Sequence, residues 1–217
     1  MREVRIKVYT YPELSDKAKE KARSWYKESI SDSEIWWPVV FADVKQCARY
    51  LGITIAYNSD RPRYDKSPSR PNIYWDDYGS SFSGTWAYSH MDLVAVHEEY
   101  PHDPILNKVA DMLDEIKSQD ASAKISDQGN TKIVIDIDLK NSNECDREII
   151  EKALQKFNTW IYEYIQSQYD YVYSDECVSE GIIANGYEFT EVGTFIRVDK
   201  LWIDSNYYRY TGRFKPK

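Results

Sequence analysis

Hydrophobic residues recur along this chain either every three or four positions, as in a helix, or at every second position, as in a strand. The longest regular stretch has the helical period. From residue 144 to about residue 169, apolar side chains return every three or four positions, which predicts one long amphipathic helix. Asn143 stands where its side chain can cap the first turn, and the acidic residues that follow complement the helix dipole. A shorter helix is predicted after Ser174, and Gly186 can end it in the left-handed conformation.

The same two periods divide the rest of the chain. Helices with one apolar face are predicted from Ser15, over residues 35–51 and from about residue 103 to 118. Short or alternating apolar runs predict strands at 3–9, 53–57, 73–75, 82–88, 91–96, 123–126, 132–139, 187–189 and 194–198. Residues 58–71 are polar and predict an exposed loop.

This order of elements predicts an α+β fold, with a mostly antiparallel sheet and amphipathic helices packed on one side. Residues 1–198 are expected to form a single α+β domain, because a chain of 217 residues usually forms one domain or two small ones. Residues 199–217 are expected to be an aromatic and basic C-terminal extension, which either adds an edge strand or trails as an arm.

Aromatic residues are abundant, with 19 Tyr and 7 Trp. Two interpretations remain open. The rings either pack the core and its shell, or they form a partner-binding face, since Tyr and Trp anchor many protein interfaces.

The charge is uneven along the chain. Residues 92–151 hold 15 acidic and 6 basic side chains, whereas residues 1–91 have a net charge of +2. The acidic segment argues against non-specific binding to nucleic acid, which depends on cationic side chains. It is either a solvated face or a surface that docks on a basic protein, including one that normally holds nucleic acid. In the second case Asp111, Asp114 and Glu115 are the expected contacts.

The cysteines predict neither a disulfide framework nor a zinc site. They are three in number and widely spaced: Cys47, Cys145 and Cys177. We recognise no signal peptide and no apolar run of about 20 residues, so the chain is expected to be soluble and cytosolic, without contact to a membrane.

The sequence contains no phosphate-binding or dinucleotide-binding loop, no nucleophile elbow and no His-Glu-x-x-His motif. We therefore expect a protein that is not an enzyme and has no cofactor. Two metal-binding alternatives are open: His97 and His102 with nearby carboxylates, and the strand pair Asp136 and Asp138. Solvated surface side chains are the ordinary interpretation of both.

The best candidate contacts lie in a hairpin predicted around residues 76–81. Its two acidic residues stand among aromatic rings that can hold a flat ligand or the cation of a partner. Turn carboxylates beside buried rings are the alternative. The predicted partner-binding residues of the hairpin are Trp75, Asp76, Asp77, Tyr78 and Trp86.

Two motifs resemble a family found in phage and prophage genomes. YPELSDKAKEKARSWY (Tyr11–Tyr26) is similar to the start of that family, and YEYIQSQYDYVYSDECVSEGIIANGYEFTEVG (Tyr162–Gly193) is similar to its C-terminal signature. Residues 72–84 loosely resemble its central hairpin. The family is labelled "antitoxin of toxin–antitoxin stability system", which implies a small intracellular protein that neutralises a partner. A phage setting extends this to inhibitors of bacterial defence, such as anti-CRISPR proteins.

The resemblance and the residues together predict a non-enzymatic inhibitor in the cytoplasm of a bacterial host. Its expected partner is a host protein, with a basic or nucleic-acid-binding surface. Two alternatives remain open: a binder of a nucleotide-like small ligand through the aromatic hairpin, and a metal-dependent nuclease or nucleotide hydrolase.

Overall fold

The computed structural model describes residues 5–31, 37–57, 70–129, 131–140, 143–196, 201–204 and 207–210. Its α-helices are α1 (Asp16–Ser31), α2 (Trp37–Tyr50), α3 (Leu93–Glu99), α4 (Pro104–Asp114), α5 (Glu144–Val172) and α6 (Asp175–Ala184). Its strands are β1 (Arg5–Ile6), β2 (Tyr9–Thr10), β3 (Leu51–Ile55), β4 (Ile73–Asp76), β5 (Gly79–Phe82), β6 (Gly84–Met91), β7 (Ser122–Asp127), β8 (Ile133–Asp138), β9 (Glu188–Phe189), β10 (Phe195–Ile196), β11 (Leu201–Asp204) and β12 (Tyr207–Tyr210).

The chain forms two compact units, each with its own hydrophobic core. We call Trp36–Gln168 the central unit, and Met1–Ile35 together with Tyr169–Lys217 the terminal unit. α5 begins in the central unit, and its last residues belong to the terminal unit. The single domain of residues 1–198 stays a prediction, since two compact units can belong to one folding domain.

A four-stranded antiparallel sheet, in the order β3-β6-β7-β8, forms one layer of the central unit. Along β8 the side chains alternate as the sequence predicts: Ile133, Ile135 and Ile137 face the core, and Asp136 and Asp138 are exposed. Buried residues of α2, α4 and α5 belong to the same core as those of the sheet. The fold is α+β, with antiparallel pairing and helices packed on one side of the sheet, as predicted.

Both ends of the chain build the terminal unit. Its core consists of Tyr11, Leu14, Ala18, Ala22, Val178, Ile182 and Phe189. The Tyr11 hydroxyl lies 2.7 Å from Ser179 Oγ and accepts a hydrogen bond from Arg23 Nη1 at 2.9 Å. Arg23 Nε also pairs with Asp175 Oδ2 at 3.3 Å. The two motifs that carry the family resemblance therefore pack against each other in this unit.

Two predicted strands are wrong. The run at 91–96 is not a further strand: Met91 is the last residue of β6, and Asp92 Oδ1 then accepts from the Ala95 N–H at 3.2 Å and caps α3. The single strand at 3–9 is replaced by β1 and β2, which belong to different sheets: β1 pairs with β12, and β2 pairs with β9. Residues 3 and 4 lie outside the described ranges, as does most of the predicted loop, residues 58–69.

Within the predicted C-terminal extension, β11 pairs with β12, and β12 pairs in turn with β1. In the described part of the chain, no helix has the length and apolar character needed to cross a membrane.

Candidate partner-binding surface

A tight hairpin in the central unit exposes Tyr78 at its turn. Asp76 lies opposite Gly79 in the register of β4 and β5, so Asp77 and Tyr78 form a two-residue turn, shorter than predicted. Asp76 fixes this turn with both carboxylate oxygens: Oδ1 accepts from the Tyr78 N–H at 2.8 Å, and Oδ2 accepts from the Tyr74 hydroxyl at 2.8 Å. Tyr78 is 89% exposed, and a displayed ring of this kind is a typical anchor for a partner.

The structure separates the predicted hairpin residues into two groups. Asp77 and Tyr78 are exposed at the turn. Trp75 is half-buried, with its ring 5.6 Å from that of Trp37. Trp86 is 1% exposed, and its indole N–H donates to a backbone carbonyl at 3.0 Å. The two predicted tryptophans therefore pack on or in the core, and the turn residues are the ones that a partner can reach.

Hydrogen bonds fix the hairpin to α5. Asn158 Nδ2 donates to Ser80 O at 2.7 Å, and the Ser80 hydroxyl donates back to Asn158 O at 2.7 Å. Ser80 is 2% exposed, so these bonds are shielded from water. The Tyr162 hydroxyl lies 3.4 Å from Asp77 O. Because α5 is buried along one whole face, it gives the turn a rigid support.

A cavity of about 230 Å³ lies between this turn and α5. We call it the hairpin cavity, and its lining is uncharged: Tyr78, Gly79, Ser80, Thr131, Asn158, Thr159 and Tyr162. Thr131 has a φ of +62°, a left-handed conformation that is rare for a β-branched residue. A Cβ atom at Gly79 would lie 3.0 Å from Thr131 Cβ, so a larger residue there would push Thr131 away. Backbone strain of this kind often accompanies binding sites.

A second cavity, of about 250 Å³, lies on a different face of α5, where α4 begins. We call it the acidic cavity; it is lined by Asp103, Pro104, Ile105, Trp160, Glu163, Tyr164 and Ser167. Asp103 caps α4, because its Oδ1 accepts from the N–H groups of Ile105 and Leu106 at 3.0 and 2.9 Å. Its Oδ2 accepts from the Trp160 indole N–H at 2.6 Å.

Three aromatic rings stack along α5 at this cavity. The Trp160 ring is nearly parallel to those of Phe157 and Tyr164, at centroid distances of 5.5 and 5.0 Å. The Tyr164 hydroxyl donates to Asp43 Oδ2 at 2.7 Å. Burial, and then the Asp43 carboxylate, raise the pKa of Tyr164 well above its usual range, so the ring stays neutral.

The predicted acidic contacts share one exposed face at the end of α4. Asp111, Asp114 and Glu115 are all exposed, whereas Leu113 beside them is fully buried. Asp111 Oδ1 lies 3.8 Å from His97 Nε2. The positions 111, 114 and 115 follow helical spacing, so the three carboxylates form one surface.

The metal-binding alternatives find little support in the geometry. Among the described residues, no three His, Cys, Asp or Glu side chains come together as metal ligands. His97 Nδ1 lies 2.5 Å from Asn107 Oδ1. Asp136 lies opposite Lys124 in the sheet register, so its cross-strand neighbour on the exposed face is a cation.

Sequence reasoning missed most residues of both cavities. The apolar period of α5 places Trp160 in the core and says nothing of its bond to Asp103. Asn158 and Thr131 carry no sequence signal of their own, apart from the position of Thr131 between the strands predicted at 123–126 and 132–139. Among the residues of the hairpin cavity, Tyr78 is the one that the sequence predicts as a partner contact.

These features define an α+β protein whose central unit combines an exposed aromatic turn, two small cavities and an acidic helix face. A family model described as a domain of unknown function, DUF8835, matches residues 36–175, which is more than half of the chain. The chain therefore belongs to this family. The match begins where the central unit begins and ends just after α5. No curated protein and no solved structure gives a significant match.

Proposed function

We propose that this protein is a non-enzymatic inhibitor of phage or mobile-element origin, which binds and neutralises a protein in the cytoplasm of a bacterial host. The action is antitoxin-like or directed against a defence system, in line with the two motifs that resemble the antitoxin-labelled family. One observation carries the proposal: Tyr78 is 89% exposed on a turn that Asp76 and the Ser80–Asn158 bonds already hold in place. A preorganised anchor loses little conformational freedom on binding, so more of its contact energy appears as affinity.

The acidic face at the end of α4 indicates the character of the partner. Asp111, Asp114 and Glu115 give this surface a negative potential, which attracts and orients a basic surface. A host protein that binds nucleic acid offers such a surface. Occupying it would keep the nucleic acid away, and that is how we propose the inhibitor acts.

A pair of tyrosine variants tests the anchor. Tyr78 in the central unit and Tyr171 in the terminal unit are 89% and 63% exposed, so each can be replaced by alanine with little effect on the fold. The partner is captured from host lysate with tagged protein, identified by mass spectrometry and then titrated by calorimetry. Tyr78→Ala should weaken binding by about 30-fold or more, as interface anchors do, and Tyr171→Ala should not. Failure to recover any protein from repeated captures counts against the whole proposal.

A charge-reversal variant tests the acidic face. Changing Asp111, Asp114 and Glu115 to Lys should weaken binding more at low than at high ionic strength, because salt screens surface charges. The matched control reverses three exposed carboxylates of the terminal unit, Glu176, Glu180 and Glu191, and so makes the same change in net charge. Equal losses from the two triple variants would mean that only overall charge matters, and the face would lose its assigned role.

The hairpin cavity favours one other function, binding of a small ligand. Its hydroxyl, amide and aromatic groups suit an uncharged polar ring, and Thr131 beside it is strained. Its volume of about 230 Å³ lies below the roughly 300–1,000 Å³ of sites for drug-sized ligands, so it fits a base or a sugar ring rather than a whole nucleotide. Native mass spectrometry of protein purified from its host should then show a bound mass, and clean ligand-free protein would rule this function out.

A further inference from the structure

We propose that the acidic cavity binds a basic side chain of the partner protein, with arginine as the preferred guest. This inference deepens the proposed function and rests on it, since it names what one region of the partner must present. It concerns a site of its own, because the cavity lies on a different face of α5 from the hairpin turn.

The charge of the cavity selects a cation. Asp103 and Glu163 both line it, and no lysine, arginine or histidine is among its described lining residues. The three hydrogen bonds that the Asp103 carboxylate accepts come from two backbone amides and an indole, which are neutral donors. They stabilise the carboxylate without cancelling its charge. A cation at the cavity therefore meets two carboxylates, one of which also caps the positive end of the α4 dipole, and no cationic side chain in the lining.

The aromatic wall selects a flat cation. Phe157 and Tyr164 stack on the two faces of Trp160, so Trp160 offers the cavity mainly its edge. Tyr164 ends the stack, and no other ring of the described residues stacks on its second face. A guanidinium group can lie on such a ring while its N–H groups point to carboxylates, which an ammonium group does less well.

The size of the cavity sets the scale of the guest. Its volume of about 250 Å³ is below the range of sites for drug-sized ligands, so a single side chain fits better than a nucleotide or a peptide segment. The same helix that Asp103 caps carries Asp111 and Asp114 on its exposed face. A basic partner attracted by that face would bring its side chains close to the cavity.

The test uses the full chain and a small probe, so it needs no knowledge of the partner. Acetyl-Gly-Arg-Gly-amide is titrated into ¹⁵N-labelled protein, and the indole N–H signal of Trp160 is followed by NMR, with Trp160→Phe to assign it. We expect a saturable shift with this peptide. The citrulline peptide, which has nearly the same shape and no charge, should bind at least about tenfold more weakly, equivalent to about 1.4 kcal/mol.

Two pairs of variants locate the guest. Glu163→Gln should weaken binding about 1.4- to fivefold, the range measured for exposed ion pairs, whereas Glu151→Gln, an exposed site nearer the start of α5, should leave it unchanged. Tyr164→Phe keeps the ring and should retain binding, whereas Tyr164→Leu should lose it. Should Tyr164→Leu fail to fold, the exposed Glu163→Gln variant still decides.

Three results would overturn the site: no saturable shift, equal binding of the citrulline peptide, or equal effects of the two glutamine variants. The outcomes for site and function are separable. If the arginine peptide binds as expected and no host protein is ever captured, the proposed function is wrong and the cation site stands. If a host protein is captured and the arginine peptide does not bind, the cation site is wrong and the proposed function stands.

Discussion

Replacing Asp146 by asparagine should destabilise the central unit by about 2 kcal/mol at neutral pH. Asp146 is 2% exposed at the start of α5, and its Oδ2 accepts from the Ser118 hydroxyl at 2.6 Å and from the Ser118 N–H at 2.9 Å. Hydrogen bonds to charged groups contribute roughly 1.5–3 kcal/mol, and neutral ones roughly 0.5–1.5 kcal/mol. The loss is therefore about 1 kcal/mol for each of the two bonds. The effect matters for function because α5, which Asp146 helps to begin, lines both cavities.

The same change should alter how stability depends on pH. Burial alone would raise the pKa of Asp146, but the hydrogen bonds from Ser118, Lys117 and Asn143 outweigh it, and the pKa in the folded protein is lowered. A lowered folded pKa means that the stabilisation is fully present above the unfolded pKa of about 3.9. It is lost as the pH falls through the folded value. The wild-type protein should then approach Asp146→Asn in stability.

Urea unfolding followed by circular dichroism, at about pH 7 and again at about pH 3, measures both effects. Asp138→Asn is the control, because Asp138 is exposed on β8 and the change should stay within about 0.5 kcal/mol. If the difference in the free energy of unfolding between wild type and Asp146→Asn is the same at neutral and acid pH, the assigned role of the carboxylate charge is refuted. A gap below about 0.5 kcal/mol at neutral pH would refute the hydrogen-bond argument as well.

Two further predictions concern the thiols and the glycines. Cys145 is exposed and should react with iodoacetamide within minutes. Burial raises the pKa of Cys47 to about 12, so mass spectrometry should find Cys47 modified only after unfolding. Equal labelling rates of the two cysteines in folded protein would contradict this. Gly193→Ala should destabilise the terminal unit by more than about 2 kcal/mol in urea unfolding, because the added Cβ would clash with Ala18 O. Gly186→Ala, also at positive φ but in open space, should cost about 1 kcal/mol. Similar losses at both glycines would show that the close approach to Ala18 is unimportant.

The helices were predictable wherever their signals are local. Asn143 and Ser174 accept from the backbone amides of Cys145 and Cys177, as their positions before an apolar-periodic stretch indicate. Gly186 ends α6 with a φ of +63°. A cap or a left-handed glycine depends on a few neighbouring residues, so the sequence contains all that is needed to infer it.

The two strand predictions that are wrong lacked a sufficient local signal. The run at 91–96 is too short to show whether its period is that of a helix or a strand, and the cap at Asp92 decides it. The division of residues 3–9 into β1 and β2 depends on partners from the other end of the chain, β12 and β9. Pairing at such a distance leaves no mark on the period of the strand itself.

The cavities show the same limit more clearly. The bond between Trp160 and Asp103 joins residues 57 positions apart, and the bonds between Ser80 and Asn158 join residues 78 positions apart. Each residue has an ordinary local role, as a core ring, a helix cap or a polar position on a helix. The cation-binding character of the acidic cavity arises only because folding brings Asp103 next to the aromatic rings of α5. The sequence alone does not show that proximity.

The division into two units bears directly on the proposed function. The antitoxin-like motifs lie largely in the terminal unit, where Tyr11, Arg23, Asp175 and Ser179 join them. Most of the DUF8835 match, and both cavities of α5, lie in the central unit. If the neutralising activity followed the motifs, Tyr171→Ala would reduce partner binding and Tyr78→Ala would not. We expect the opposite, because the packing of Tyr11, Arg23 and Ser179 against one another gives those motif residues a structural role that already accounts for them. The comparison of the two tyrosine variants therefore decides which unit binds the partner.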